Sequence, residues 1–442
     1  MSFLKNVSYT FVTKVGLLIT GLVTSIVIAR MLGAEGKGML SLAVLSASVI
    51  YSLTNLGLGS GSGYFLGRKK IDKTLLAGIW MSLSLLIGGL AMSVSLIPAP
   101  IAVPRILPDV PVGLVMIALC SIPFSIILYN FQMLSRADAD FRAFNILELS
   151  QPGIFLLVFL SLVWFFPDSK LTVAVATFSF SVFAAAMLAL FIWGRKVKLR
   201  PRWDGGIVKS AMGFGVMGHM TSFLGFLNLR VDMLLLNFFI SVEAVGYYSI
   251  SVMIAEKIWY FPDTLAIVLY PRVAHGSDEE ANIQTSIVSR QVVLIVTAVC
   301  IVLAAVARPL IDLLYSDLFS SAFAPFLFLL PGVLSASLSR VLGSDLMARG
   351  HPKVNMWAGF AALITNVGCN MIFIPKFGII GAAGATSISY TLHFLVILWA
   401  FVRISGLPVS AILVPGREDL MRFPEAVTRL IKMARDGRTV EK

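Results

Sequence analysis

Ionisable side chains that interrupt long apolar runs are where this sequence could do chemistry. Lys14, Arg230, Lys257 and Arg340 are the cations in such runs, Asp232, Glu256, Asp263 and Asp345 the anions, and His219 and His393 two of the four histidines. A charge near the centre of a bilayer costs about 2.5–3.5 kcal/mol on insertion scales, so such groups face a cavity, a partner or a cargo. A fixed Lys or Arg can neutralise a phosphate in low dielectric, and Arg can bind it bidentately. The four cations are therefore candidate substrate contacts. Asp232, Glu256, Asp345 and His219 are candidates for ion coupling or pairing, because acids and imidazoles take up and release protons. Arg230 and Asp232 are two residues apart, so on a helix they point to different faces. The plainer reading is a structural ion pair between helices, a side chain snorkelling to the interface, or, for a lone His, an interhelical hydrogen bond.

The elements that must position these groups are read from the apolar runs. The chain has 442 residues, 58% hydrophobic and 13% charged, against roughly 25% charged in a soluble domain. A bilayer core needs about 20 apolar residues per helix. Such stretches lie at 9–32, 39–66, 74–97, 111–134, 147–166 and 171–193, then at 211–238, 244–270, 288–309, 323–346, 354–375 and 379–402. Barrel strands would alternate over short segments instead. The fold expected is an all-α polytopic membrane protein with about 12 transmembrane helices. Trp80, Trp164, Trp193, Trp357 and Trp399 fall near span edges, as an interfacial aromatic belt requires. The N-terminal stretch lacks an obvious cleavage site and reads as a retained first helix.

Basic residues sit mainly in every second gap. About 25 of the 35 Lys and Arg residues lie on the side of the even gaps and the termini, and six on the other side: Arg30, Lys37, Arg105, Lys170, Arg308 and Lys376. The positive-inside rule then puts both termini in the cytoplasm. The longest basic gap, Arg195 to Lys209, divides the chain into an N-terminal lobe, 1–203, and a C-terminal lobe, 204–404. A basic tail, 405–442, follows. Within it, 417–435 places Leu420, Val427, Leu430, Ile431 and Ala434 on one helical face, which suits a helix lying on anionic lipid. A disordered tail is the alternative. The two halves share a short echo: ARMLGAEGKGMLSLAVL and LNFFISVEAVGYYSISV align Glu35 with Glu243 and Gly38 with Gly246. Parallel repeats are a common transporter plan.

Several function classes drop out. The net charge of +12 is a topology signal in short loops and a tail, so no nucleic-acid partner is expected. Cys120, Cys300 and Cys369 lie in apolar runs, without metal-site or disulfide spacing. Gly57 to Gly63, GLGSGSG, misses the dinucleotide spacing and reads as close helix packing or a broken helix end. There is no P-loop, and the loops are too short for a usual enzyme site. No catalytic residue, cofactor or metal is expected, and the chain reads as not an enzyme.

These stretches together resemble a known group. ARMLGAEGKGMLSLAVL followed by NLGLGSGSGYFLGR is similar to the first hairpin of polysaccharide-export flippases of the MOP superfamily. LRVDMLLLNFFISVEAVGYYSIS resembles their seventh and eighth helices. LMARGHPKVNMWAG and IFIPKFGIIGAAGATSISY, with Pro375, Gly378, Gly381, Ala382 and Ala383, resemble helices ten to twelve. The nearest group is the Wzx-like oligosaccharide (O-antigen) flippases. The resemblance implies two six-helix lobes around a central cavity opening alternately to each side. It implies a cargo of undecaprenyl-pyrophosphate-linked oligosaccharide moved from the cytoplasmic to the outer leaflet of a bacterial inner membrane, for O-antigen, capsule or exopolysaccharide assembly. A polysaccharide polymerase and other glycan-assembly proteins would be partners, and coupling to an H+ or Na+ gradient would be the drive. Lipid II flippases fit less well, since only Lys14 is charged in the first span. A multidrug–cation antiporter of the MATE family is the alternative, although spans 1 and 2 hold no internal acid. A non-transporting scaffold for glycan enzymes is the second alternative.

Overall fold

The computed structural model describes residues 3–67 and 69–416, with side chains from Val12 onward except those of Ser60, Met212 and residues 214–217. The expected tail helix at 417–435 lies outside the described residues. Among those residues every regular element is helical. The helices are α1 (Phe3–Thr54), α2 (Ser62–Gly67), α3 (Lys73–Leu96), α4 (Ala99–Ile106), α5 (Val112–Leu119), α6 (Ile122–Ala137), α7 (Phe141–Leu162) and α8 (Lys170–Gly194). Then come α9 (Gly205–Phe239), α10 (Val242–Lys257), α11 (Tyr260–His275), α12 (Asp278–Tyr315), α13 (Phe323–Ala348), α14 (Pro352–Ser405) and α15 (Val409–Leu413).

Two pairs of expected spans are joined without a loop. α1 turns at Gly33, with φ 69°, and α14 at Gly378, with φ 57°. Only a residue without a Cβ adopts such values at little cost. The turns are sharp enough to fold each helix into a hairpin. Lys37 Nζ donates to Ser25 Oγ at 3.0 Å, although twelve residues of straight helix would separate them by about 18 Å. Likewise Ser389 Oγ donates to the Ala362 carbonyl at 2.8 Å across the Gly378 turn. Nine helical stretches among the described residues are long and apolar enough to cross a bilayer. Counting both arms of α1 and of α14 makes eleven, and α10 with α11 fills the stretch expected at 244–270. Glu35, expected in a loop, therefore lies on α1. The span expected to run to 66 stops at Thr54, where Leu56 and Gly57 take positive φ and a 3-10 turn, Leu58–Gly61, follows. The glycine run is thus a broken helix end, as expected.

Local signals start the helices in the usual ways. Asp72, Asp140 and Asp204 cap α3, α7 and α9 by accepting N–H bonds from the first turn. Ser277 and Glu280 form a reciprocal capping box at α12, at 3.2 and 3.3 Å.

The charged gaps meet in sets. In the first half, Lys196 pairs with Asp140 at 2.6 Å and with Asp138 at 3.5 Å, and Lys73 reaches Asp138 at 3.6 Å. In the second half, Arg349 reaches Asp278 at 3.3 Å and Asn282 at 2.8 Å, and Asn282 reaches the Ser405 carbonyl at 3.0 Å. All of these belong to even gaps, so alternation along the chain becomes adjacency in space.

Burial pushes the Asp140 carboxyl up. Hydrogen bonds from the Ala143 N–H and from Lys196 outweigh it and hold the group below the usual carboxylate range. A lowered folded-state pKa stabilises above the unfolded value, and that stability is lost as pH falls through the folded one. Asp140→Ala should therefore cost about 1 kcal/mol at neutral pH. The gap from the parent protein should narrow below about pH 4, read from melting midpoints across pH.

The tryptophan belt is corrected in two places. Trp164, Trp357 and Trp399 are exposed, but Trp80 and Trp193 are fully buried. Their indole N–H groups donate to Ser62 Oγ and Ser135 Oγ, each at 2.9 Å. A serine acceptor inside the helix bundle satisfies the indole, so these rings pack as core around Phe65 and Phe131.

By packing, the chain forms two compact units: Met1–Ser249 with Leu314–Leu318, and Ile250–Leu313 with Phe319–Lys442. The first unit takes in α9 and the start of α10, beyond the 203/204 boundary placed at the basic gap, because α9 packs on α1 and on the 3-10 turn.

Candidate functional site

In the second unit the site is built on a helix break. α10 ends at Lys257 and α11 begins at Tyr260; between them Ile258 and Trp259 donate to the carbonyls of Ala255 and Glu256, three residues back. This tight turn directs Trp259 inward, 5% exposed, with its indole N–H on the Val333 carbonyl of α13 at 3.3 Å. The Tyr390 ring of α14 meets it edge-on at 5.7 Å. The Arg340 guanidinium of α13 lies 4.3 Å from the Trp259 ring centroid and donates to Asp263 Oδ1 at 2.7 Å. Lys257 sits 5.3 Å from the Tyr260 ring, and His393 lies within electrostatic reach of Arg340.

Exposure decides what this cluster can do. The Arg340 and Asp263 side chains are 30% and 44% exposed. Exposed pairs contribute about 0–1 kcal/mol, so Asp263 is a counter-ion that another anion can replace. The stack on Trp259 holds the guanidinium plane still while that exchange takes place. Lys257, two residues before Trp259 at the same helix break, adds a second positive charge.

The other expected site residues are distributed as follows. Lys14 pairs with Glu148 at 2.5 Å in the first unit, and the second Glu148 oxygen is buried without a hydrogen bond. Arg230 donates to the Leu229 carbonyl at 3.1 Å. Asp232, 1% exposed, accepts from the Tyr248 hydroxyl at 2.5 Å and from the Met233 N–H at 2.8 Å. His219 packs against Phe223. Glu256 is half-buried and its carbonyl accepts the Trp259 N–H. Asp345, fully buried, accepts from Arg349 Nε and from Thr285 Oγ1, each at 2.6 Å. It is a structural pairing residue held between two polar neighbours.

Four side chains escaped the sequence reading. Glu148 passed unnoticed at the start of a span, where a lone acid was the available signal. Trp259 and Tyr390 looked like ordinary apolar positions. Lys37 was counted as an outer-loop charge, yet it is 7% exposed and folded back on Ser25.

A family model described as polysaccharide biosynthesis protein matches residues 27–324, from α1 to the first turn of α13. The chain belongs to this family. Three curated relatives match this family member, two of them named as flippases. One is the probable low-salt glycan biosynthesis flippase Agl15 of Haloferax volcanii, 21% identical over 47% of this chain and 47% of the relative. The other is the probable lipid II flippase MurJ of Haemophilus influenzae, 23% identical over 53% of this chain and 48% of the relative. The chain spans about half the length of the curated relatives it matches. Among solved structures, a lipid II flippase MurJ in an inward closed conformation superposes with TM-score 0.73 at 14% identity, covering 99% of this chain and 93% of the other. An inward-facing multidrug resistance MATE transporter of the MOP superfamily gives 0.71 at 16%, covering 88% and 95%. This family member therefore has the MOP transporter fold and is a multi-pass membrane protein, as the resemblance led one to expect.

Proposed function

We propose that this protein flips a lipid-linked oligosaccharide across the membrane, with the diphosphate of a polyprenyl carrier engaged by Arg340 and Lys257. The observation that carries this is the exposed Arg340–Asp263 pair stacked on Trp259 at the α10–α11 break. It offers a fixed, bidentate cation whose present anion is exchangeable. The sequence relatives named as flippases support a glycan cargo. The side rich in Lys and Arg is the cytoplasmic one in this reading, so loading occurs from there. Undecaprenyl diphosphate, and O-antigen, capsule or exopolysaccharide repeat units, are the cargo in a bacterial inner membrane. Asp263, at 44% exposure, suits proton or Na+ coupling better than Asp232, which is closed in by Tyr248.

A multidrug antiporter has the same fold, so the fold does not choose between them. The experiment that chooses is reconstitution of the full chain in proteoliposomes. A fluorescent polyprenyl-diphosphate oligosaccharide should change leaflet faster than in protein-free vesicles, and Arg340→Gln with Lys257→Gln should slow it. Gradient-driven uptake of a cationic drug without glycan movement would establish the antiporter instead. No movement of either by folded protein would favour a scaffold.

A further inference from the structure

The broken end of α1 leaves two buried oxygens without a donor. Asn55, the first residue beyond α1, is 5% exposed, and Asn130 of α6 is fully buried. Among the described residues, neither amide oxygen takes a hydrogen bond. Both belong to the first unit. The neighbouring hydrogen bonds fix this arrangement. Ser84 of α3 donates to the Trp80 carbonyl at 2.6 Å, so its oxygen accepts from the Asn130 amide nitrogen, at 2.9 Å. That contact turns the Asn130 oxygen away from Ser84 and onto the 3-10 turn, Leu58–Gly61. A Cβ added at Gly59 would lie only 2.8 Å from it, so glycine is what lets the oxygen approach. The Trp80 indole N–H already donates to Ser62 Oγ. The indole N–H, the Ser84 hydroxyl and the Asn130 amide nitrogen are thus all committed elsewhere, and acceptors are left over.

These acceptors share their place with a helix C-terminus. α1 stops at Thr54, and Leu56 and Gly57 take positive φ, so its last carbonyls find no next turn to bond. The Asn55 carbonyl accepts from the Leu58 N–H at 3.4 Å, which holds Asn55 against the same turn that Asn130 reaches. A helix C-terminus carries partial negative charge. Inside a bilayer, unwound carbonyls and such helix ends coordinate small cations. The side chains in this set are amides, with no carboxylate. Neutral carbonyl-type oxygens suit a single charge, whereas Ca2+ sites rely on carboxylates.

We propose that this break is a monovalent-cation site of the first unit, with the Asn55 and Asn130 amide oxygens and the last carbonyls of α1 as donors. A cation there ties the end of α1 to α6. The site belongs to a different unit from Arg340 and Asp263 and does not depend on which cargo is carried. Equilibrium binding of radioactive Na+ to the purified full chain in detergent tests it. Saturable binding is expected. Asn55→Ala and Gly59→Ala should weaken it about tenfold or more, the loss of one donor to a charge. Gly63→Ala, in the same glycine run but facing open space, should leave it unchanged. Asn130→Asp should tighten it, and the melting midpoint of that variant should rise with NaCl and not with choline chloride. This last variant decides alone if the alanine variants do not fold. No saturable binding, or equal affinity in the parent, Gly59→Ala and Asn130→Asp, would overturn the proposal. Tighter binding of Ca2+ than of Na+ by the parent would overturn it as well.

Discussion

Arg340→Gln should lower transport of a diphosphate-linked glycan about 10- to 150-fold. The substitution removes charge-assisted hydrogen bonds worth about 1.5–3 kcal/mol, and about 1.4 kcal/mol corresponds to tenfold. It also removes the cation stacked on Trp259. Arg340→Lys should fall between, since an ammonium keeps the charge and loses the planar fork. Asp263→Asn carries the opposite sign for binding. It removes the anion that competes with cargo for Arg340, so the apparent KM should fall while turnover slows at release. Initial flipping rates against cargo concentration, for the parent and the three variants at equal reconstituted amounts, check all of this. A parent-like rate for Arg340→Gln would remove Arg340 from the cargo path.

Stability should depend most on the Asp345–Arg349 pair. Their side chains are 0% and 8% exposed, and Asp345 takes hydrogen bonds from Arg349 and Thr285. Breaking such a pair from one side leaves a buried, uncompensated charge and costs about 3–5 kcal/mol. Arg349→Met should therefore lower the melting point in detergent strongly, and Asp345→Leu likewise. The double variant should recover much of the loss, because two apolar groups of similar volume need no partner. Equal losses in the single and double variants would show that the pair matters through Asp278 and Asn282, which Arg349 also reaches.

These two pairs show why the candidate charges could be found in the sequence but not sorted. Arg340 and Asp345 are five residues apart on α13. Insertion cost flags both equally, since it depends on depth and not on neighbours. What separates them is exposure and partner. Arg340 meets Asp263 from α11 and Trp259 from the turn before it, and its side chain stays 30% exposed. Asp345 meets Thr285 of α12 and is sealed. The tryptophans carry the same lesson. Trp80 and Trp399 both lie near span edges, and only the serine opposite Trp80 makes it core.

The sequence by itself determined the number and order of the apolar stretches, the alternation of charged gaps and the all-helical class. It could do so because the bilayer requires each span to satisfy its own backbone and be apolar along its length, which are local properties. It also carried the echo of Gly38 and Gly246 as a pattern without meaning. The tertiary structure alone decided that Gly33 and Gly378 are turns within hairpins and that Lys37 is buried. It alone paired Lys14 with Glu148. Each of these depends on which residue from a distant segment comes within about 3 Å, and no local pattern encodes that.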